Sequence, residues 1–150
     1  MTSHFRSARS IRVAITCDDA PSIAADGPGA RLDPTRLDRI RVALERAEVP
    51  SCVAFVIGRH GREQPDPLAR WLEAGFELGN HTDDHAPASR TPATRFRESV
   101  EACDALLERL GSFRAGRRRW FRFPYLDRGA DSSSRGELAD CYQQAGYALA

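Results

Sequence analysis

Ser51-Cys52-Val53-Ala54-Phe55-Val56-Ile57-Gly58 is apolar at six consecutive positions, Cys52 to Ile57. A strand with one wet face alternates polar and apolar residues. A run without that alternation reads as a strand covered on both faces, as in a parallel sheet. Working outward, Thr35 to Glu48 carries Leu37, Ile40, Leu44 and Ala47 on one stripe and reads as a helix. Asp33 or Thr35 is its candidate cap, with Pro34 near the first turn. Ile11 to Cys17 is rich in β-branched residues and reads as a strand. Between these two lies Asp18 to Pro34, rich in proline and glycine, which reads as a long loop. Downstream, Pro67 to Ala74 reads as a helix stopped by Gly75, and Phe76 to Asn80 as a third strand. Pro92 to Leu110 reads as the longest helix, with Thr91 as its cap. Trp120 to Phe123 reads as a fourth strand, Ser134 to Ala145 as a helix, and Tyr147 to Ala150 as the start of another strand. Residues 1–10 read as a disordered lead-in. Strands alternating with helices imply right-handed βαβ units and a parallel sheet.

The chain has 150 residues, of which 41% are hydrophobic and 29% charged, which fits one soluble globular domain. No apolar run is long enough to cross a bilayer. Met1 to Arg9 is polar and basic with no apolar stretch after it, so a secretory signal is not expected. That favours the cytoplasm, or an extracellular or periplasmic site if the chain is a fragment. A net charge of +1 argues against a general nucleic-acid binder, and Arg117-Arg118-Arg119 reads as a solvated loop. Cys17, Cys52, Cys103 and Cys141 form no C-x-x-C pair and read as buried, reduced thiols. Cys17 alone neighbours a candidate site, and it should point into the core if Asp18 points out of it.

In parallel sheets of this kind, function gathers at the C-terminal ends of the strands. Three polar clusters fall there. Asp18-Asp19 follows the first strand, His81-Thr82-Asp83-Asp84-His85 the third, and Arg122-Phe123-Pro124-Tyr125 ends the fourth. Two histidines four apart on a helical turn share one side and can reach one divalent metal. Such an ion needs a further ligand, usually a carboxylate, which Asp18-Asp19 offers. Read singly, the histidines could be capping residues, the aspartates a strand-end turn, and Arg122 to Tyr125 an edge strand. Asp83 and Asp84 read as solvent-facing or capping residues, and Trp71 and Trp120 as core or rim packing.

Thr16-Cys17-Asp18-Asp19, His81-Thr82-Asp83-Asp84-His85 and Arg122-Phe123-Pro124-Tyr125, in that order, resemble three motifs of the polysaccharide deacetylases. This is the NodB-homology group, carbohydrate esterase family 4, and the resemblance runs from about Ile11 to Ala150. It implies an α/β fold, a distorted (β/α) barrel of parallel strands with outer helices. It also implies a metal-dependent hydrolase that removes acetyl groups from sugars, on an acetylated polysaccharide such as chitin, peptidoglycan or xylan. By that resemblance Asp19, His81 and His85 hold the metal, with zinc the usual ion and cobalt or nickel able to serve. Asp18 is the general base, Arg122 orients it, and the Tyr125 backbone N–H meets the oxyanion. The residue types suit that chemistry: three protein ligands leave positions open on the ion, and an arginine keeps a neighbouring carboxylate ionised.

Two departures from the family pattern follow. Ala20-Pro21 stands where glycine usually follows the aspartate pair. The family also continues with an Asp-Trp motif and a late Leu-His motif, whose histidine acts as general acid, whereas this chain stops at Ala150. The domain at 11–150 is therefore expected to lack its C-terminal part and its barrel to stay open. The remaining histidines are His4 and His60, and His60 is the stand-in to examine. The expectation is a chain that binds metal and turns over acetylated sugar poorly. The alternatives are a non-catalytic metal- or carbohydrate-binding fragment, and a two-His-one-carboxylate site for ferrous iron.

Overall fold

A computed structural model describes residues 13–21, 33, 35–114 and 116–150. The lead-in, His4, Ile11 and Arg12, most of the loop after Pro21, and Pro34 lie outside the described residues. The elements are β1 (Thr16–Ala20), α1 (Arg36–Arg46), β2 (Val53–Val56), α2 (Gly58–Glu63), α3 (Pro65–Glu73), β3 (Glu77–Asn80), α4 (Ala93–Arg109), β4 (Trp120–Phe121), α5 (Ser132–Gln143) and β5 (Ala148–Leu149). Single 3₁₀ turns occupy Ala88–Arg90 and Pro124–Leu126.

All five strands are parallel and lie in chain order, β1-β2-β3-β4-β5. Each strand pairs with the next, so right-handed crossovers stack every helix on one face of the sheet. The result is an arc of a (β/α) barrel, whose two edges among the described residues are β1 and β5. Cys17, Ala54, Val56 and Leu78 face the helices and join Leu37, Leu68, Trp71, Leu106 and Leu107 in one core cluster. Phe96, Val100, Phe121, Phe123, Leu138 and Tyr142 form a second cluster under α4 and α5. The cysteines are free thiols, with Cys52, Cys103 and Cys141 buried. Cys17 packs against the core, as the alternation of β1 requires.

The concave face is different. Ile15, Thr16, Val53, Glu77, Trp120 and Arg122 line an open cavity of about 370 Å³ between the two edges. Val13 and Ile15 stay 78% and 41% exposed beside it.

Several boundaries differ from the sequence expectation for physical reasons. β1 runs to Ala20, so Asp18 and Asp19 lie within the strand and not after it. The polar segment after β2 forms a short helix, α2, that the apolar pattern does not announce. Its buried Gly58 and Gly61 let it approach α4 closely: a methyl at Gly58 would stand 3.0 Å from Cys103 Cα. α4 begins after Pro92 without a side-chain cap, and the Thr91 hydroxyl donates instead to Pro87 O at 2.8 Å. α5 starts earlier than read, at Ser132, because Asp131 and Ser134 form a reciprocal capping box ahead of it. Arg117 to Arg119 are not a free solvated loop. Arg117 donates to Phe76 O at 2.9 Å, Arg118 lies over Trp120, and Arg119 bridges Asp104 and Glu108 at 2.9 Å each.

Candidate metal centre

The three polar clusters meet at the C-terminal rim of the sheet. One ligand atom each from Asp19, His81 and His85 lie within 4.8 Å of one another. His81 Nε2 and His85 Nε2 stand 3.5 and 3.1 Å from Asp19 Oδ1. Ligands held tetrahedrally at roughly 2.0–2.1 Å from zinc are about 3.4 Å apart, so these two edges match such a shell.

The backbone that brings them together is not helical. After β3 the chain turns through Thr82 at φ +64° and His85 at φ +57°. The expected helical turn after Asn80 is therefore absent, and two left-handed residues close the distance instead. In β1 the pairing with β2 shifts register between Cys17 and Ala20, and Asp19 has φ +61°. A regular strand would send Asp18 and Asp19 to opposite faces. This irregularity lets both serve one site. Among the described residues, six non-glycine residues have positive φ, and five of them (Asp19, Thr82, His85, Tyr125 and Leu126) belong to these rim segments. Each such conformation costs on the order of 1–2 kcal/mol, so the strain is concentrated where ligands converge.

Hydrogen bonds hold the strained turn. His81 Nδ1 lies 2.8 Å from Arg122 O. A carbonyl only accepts, so Nδ1 carries the proton and Nε2 turns its lone pair toward Asp19. Burial pushes His81 down, toward the neutral imidazole that ligates metal. His85 N–H donates to Thr82 Oγ1 at 3.1 Å, and Thr82 N–H to Asn80 Oδ1 at 2.8 Å. Asp83 and Asp84 tie the turn down and are not solvent residues. Asp83 takes a two-pronged bond from Arg62 at 2.6 and 2.8 Å, and Asp84 Oδ1 accepts from Ser99 Oγ at 2.6 Å.

The fit to a cation follows from this donor set. A lone pair on His81 and an ionised carboxylate face each other with no proton between them. The His85 imidazole, against opposing burial, holds Asp19 below the usual carboxylate range. Among the described residues, buried Asp19 Oδ1 accepts no well-angled hydrogen bond. A divalent ion answers all three observations.

Asp18 stands beside this cluster. Arg122 Nη1 donates to Asp18 Oδ1 and to Thr16 Oγ1, both at 2.8 Å. The Arg122 guanidinium rests 4.3 Å over the Phe55 ring. Phe55 fits there because residue 79 is glycine: a methyl at Gly79 would fall 2.6 Å from the Phe55 ring. Tyr125, 68% exposed, sets its ring 4.6 Å from that of His85. Leu126 N–H and Asp127 N–H bond back to Phe123 O and Pro124 O, while among the described residues the Tyr125 N–H meets no acceptor. His60 sits on α2 and accepts from Arg59 Nε at 3.2 Å, with no hydrogen bond to any of the three candidate ligands. The motif reading gave no role to Thr16, Phe55, Asn80 or Ser99, which touch the site residues from behind. A polar Asn80 closing an apolar strand was the one visible signal.

The polysaccharide deacetylase family model matches residues 6–148. The chain belongs to the polysaccharide deacetylase family. Its fold is shared with solved members of carbohydrate esterase family 4. Peptidoglycan deacetylase PdaC from Bacillus subtilis is 23% identical with a TM-score of 0.64, over 91% of this chain and 56% of that one. A family 4 carbohydrate esterase from Streptomyces lividans, in complex with acetate, is 19% identical with a TM-score of 0.68, over 91% and 60%. A family 4 pseudoenzyme from Bacillus anthracis is 18% identical with a TM-score of 0.69, over 91% and 41%. This deacetylase-family chain thus spans about half the length of the structures it matches. No helix among its described residues is long and apolar enough to cross a membrane.

Proposed function

We propose that this chain is a metal-dependent hydrolase that removes acetyl groups from N- or O-acetylated sugars of a polysaccharide. The observation that carries the reading is the convergence of Asp19, His81 and His85 within 4.8 Å, with the Asp18–Arg122 pair alongside. Those three residues would hold a divalent ion, zinc first among the candidates and cobalt or nickel next. Bound there, the ion supplies Lewis acidity toward a water and an acyl oxygen.

The protein's own groups do the rest. Asp18 Oδ takes a proton from the attacking water, and the Arg122 hydrogen bond keeps that carboxylate oriented. The free Tyr125 N–H, fixed by left-handed backbone at φ +57°, donates to the developing oxyanion. Removing one such donor costs on the order of 3 kcal/mol of transition-state stabilisation. The Tyr125 ring beside His85 and the neighbouring Leu126, 71% exposed, border the space where a sugar ring would lie.

A second reading is a binding module that holds metal and sugar without turnover. The placement of His60 favours it: His60 bonds to Arg59 and, among the described residues, makes no hydrogen bond to the three candidate ligands. Acetate release from acetylated chitooligosaccharide, peptidoglycan and xylan by the zinc-loaded chain separates the two. Metal uptake near one equivalent with acetate release supports the hydrolase. Uptake and sugar binding without acetate leave the binding module. No metal uptake at all defeats both.

A further inference from the structure

The polar groups behind the His81–His85 turn form a chain that ends on the last strand. Tyr147, immediately ahead of β5, lies 2.5 Å by its hydroxyl from Asp104 Oδ1 on α4, and Asn80 Nδ2 lies 3.2 Å from the same hydroxyl. The directions are forced. An amide NH₂ only donates, so the tyrosine oxygen accepts from Asn80 and sends its single proton to Asp104. The other Asn80 amide proton goes to Val100 O at 2.9 Å, and Asn80 Oδ1 accepts the Thr82 N–H. Both amide protons and the amide oxygen of Asn80 are thereby engaged, and its plane is fixed. Thr82 in turn accepts from His85 N–H. At the far end Arg119 holds Asp104 at 2.9 Å.

Two features set this chain apart from ordinary core packing. Asn80 and Thr82 are wholly buried, where an unpaired polar group is costly, so each link depends on the next. Phenylalanine at 147 would pack as well as tyrosine against Phe113 and Phe121, whose rings lie 5.9 and 6.2 Å away. The hydroxyl is therefore there for its two hydrogen bonds, one of which leads to the turn. Burial raises the Tyr147 phenol far above its usual value, so it stays a donor at every working pH.

We propose that Tyr147 and Asp104 are positioning residues of the metal centre: through Asn80 and Thr82 they hold the left-handed turn in the shape that brings His81 and His85 to one ion. The inference rests on reading Asp19, His81 and His85 as metal ligands. It couples the seating of β5 at one edge of the sheet to ligation at β3, two strands away.

The test compares zinc dissociation constants, by chelator competition, and the visible spectrum of the cobalt-loaded protein. The variants are Tyr147→Phe, Asp104→Leu and Asp104→Asn, with Tyr142→Phe as control. Tyr142 is buried in the same aromatic cluster, its ring 5.2 Å from that of Phe121; its backbone carbonyl accepts the Tyr147 N–H, and among the described residues its hydroxyl takes no part in the chain of bonds. Tyr147→Phe and Asp104→Leu should weaken zinc binding on the order of 10-fold, the low end for outer partners of metal ligands, and shift the cobalt bands. Asp104→Asn keeps an acceptor for Tyr147 and should restore affinity to within about threefold. Tyr142→Phe should leave both readouts alone. Affinity and cobalt bands unchanged in Tyr147→Phe and Asp104→Leu, while the wild type binds, overturn this inference and leave the metal reading standing. If Tyr147→Phe does not fold, Asp104→Leu against Asp104→Asn decides by the same criterion. A wild-type chain that takes up neither ion overturns both.

Discussion

The two segments that supply the centre are built differently. The histidine turn after β3 is prebuilt: the His81 and His85 side chains are 2% and 14% exposed and backed by buried Asn80, Thr82 and Ser99. The aspartate segment of β1 is the looser half: Asp18 and Asp19 are each 40% exposed, and among the described residues Asp18 takes a hydrogen bond from Arg122 while Asp19 faces only the two imidazoles. Strain tells the same story. Thr82 and His85 are left-handed inside a hydrogen-bonded cage, whereas left-handed Asp19 sits where the pairing of β1 with β2 shifts register. The contrast is one of burial: on the proposed metal reading, the two imidazoles are the enclosed ligands and the carboxylate the exposed one.

The most damaging change should be loss of a rigid-side ligand. His81→Ala removes a buried nitrogen whose ring cannot be replaced by movement of a neighbour. Zinc affinity should fall by more than the ~100-fold that marks outer partners of ligands, measured by chelator competition. Asp19→Ala, on the loose side, should cost less, because Asp18 lies next to it in the same strand. Equal losses would erase the distinction between the two halves.

Asp18→Asn separates ligation from chemistry. The amide keeps the size of the side chain but cannot take a proton. If the hydrolase reading holds, acetate release should drop about 10²- to 10⁴-fold with zinc affinity within about threefold. A large loss of affinity instead would mean that Asp18 is itself a ligand.

Gly79→Ala and Ser99→Ala probe what stands behind each half. The new methyl at 79 meets the Phe55 ring at 2.6 Å and disturbs the shelf under Arg122, on the aspartate side. Overpacking of this kind costs roughly 1–3 kcal/mol. Ser99 Oγ accepts from Asp83 N–H at 2.9 Å and bonds Asp84 Oδ1 at 2.6 Å, on the histidine side. Removing it strands partly buried groups, at roughly 1–3 kcal/mol. Urea unfolding gives both costs. Gly79→Ala should lower turnover more than metal affinity, and Ser99→Ala the reverse.

How much of this was readable beforehand follows from what kind of signal each part carries. The apolar run 52–57, the stripe of α4 and the alternation of elements gave the parallel sheet, because periodicity survives in one dimension. α2 was missed because Arg59, His60 and Arg62 offer no apolar stripe and its packing depends on two buried glycines. The three motifs named Asp19, His81, His85, Asp18 and Arg122, and the fold brings these five together. The means of convergence was not readable. A β-branched Thr82 at positive φ is contrary to propensity, and it is held there by Asn80, itself held by a residue 67 positions later. Such bonds belong to no local pattern.

The smallest expected effect checks that the rigid half is set by its own network and not by general stability. Helix α5 lies outside both halves but packs on α4, which carries Asp104 and Ser99. Its start depends on Asp131, which Ser134 N–H at 2.8 Å holds below the usual carboxylate range. A depressed carboxylate contributes stability that is fully present above its unfolded value of about 4 and is lost as pH falls through the folded value. Asp131→Asn keeps a capping oxygen and loses the titration. The gap in melting temperature between wild type and Asp131→Asn should therefore be constant above about pH 5 and shrink at lower pH. Zinc affinity at neutral pH should not differ between them. If weakening this cap loosened the metal as well, the coupling from Tyr147 and Asp104 to the histidine turn would reflect overall firmness of the α4–α5 layer, and the contrast between the two halves of the site would lose its cause.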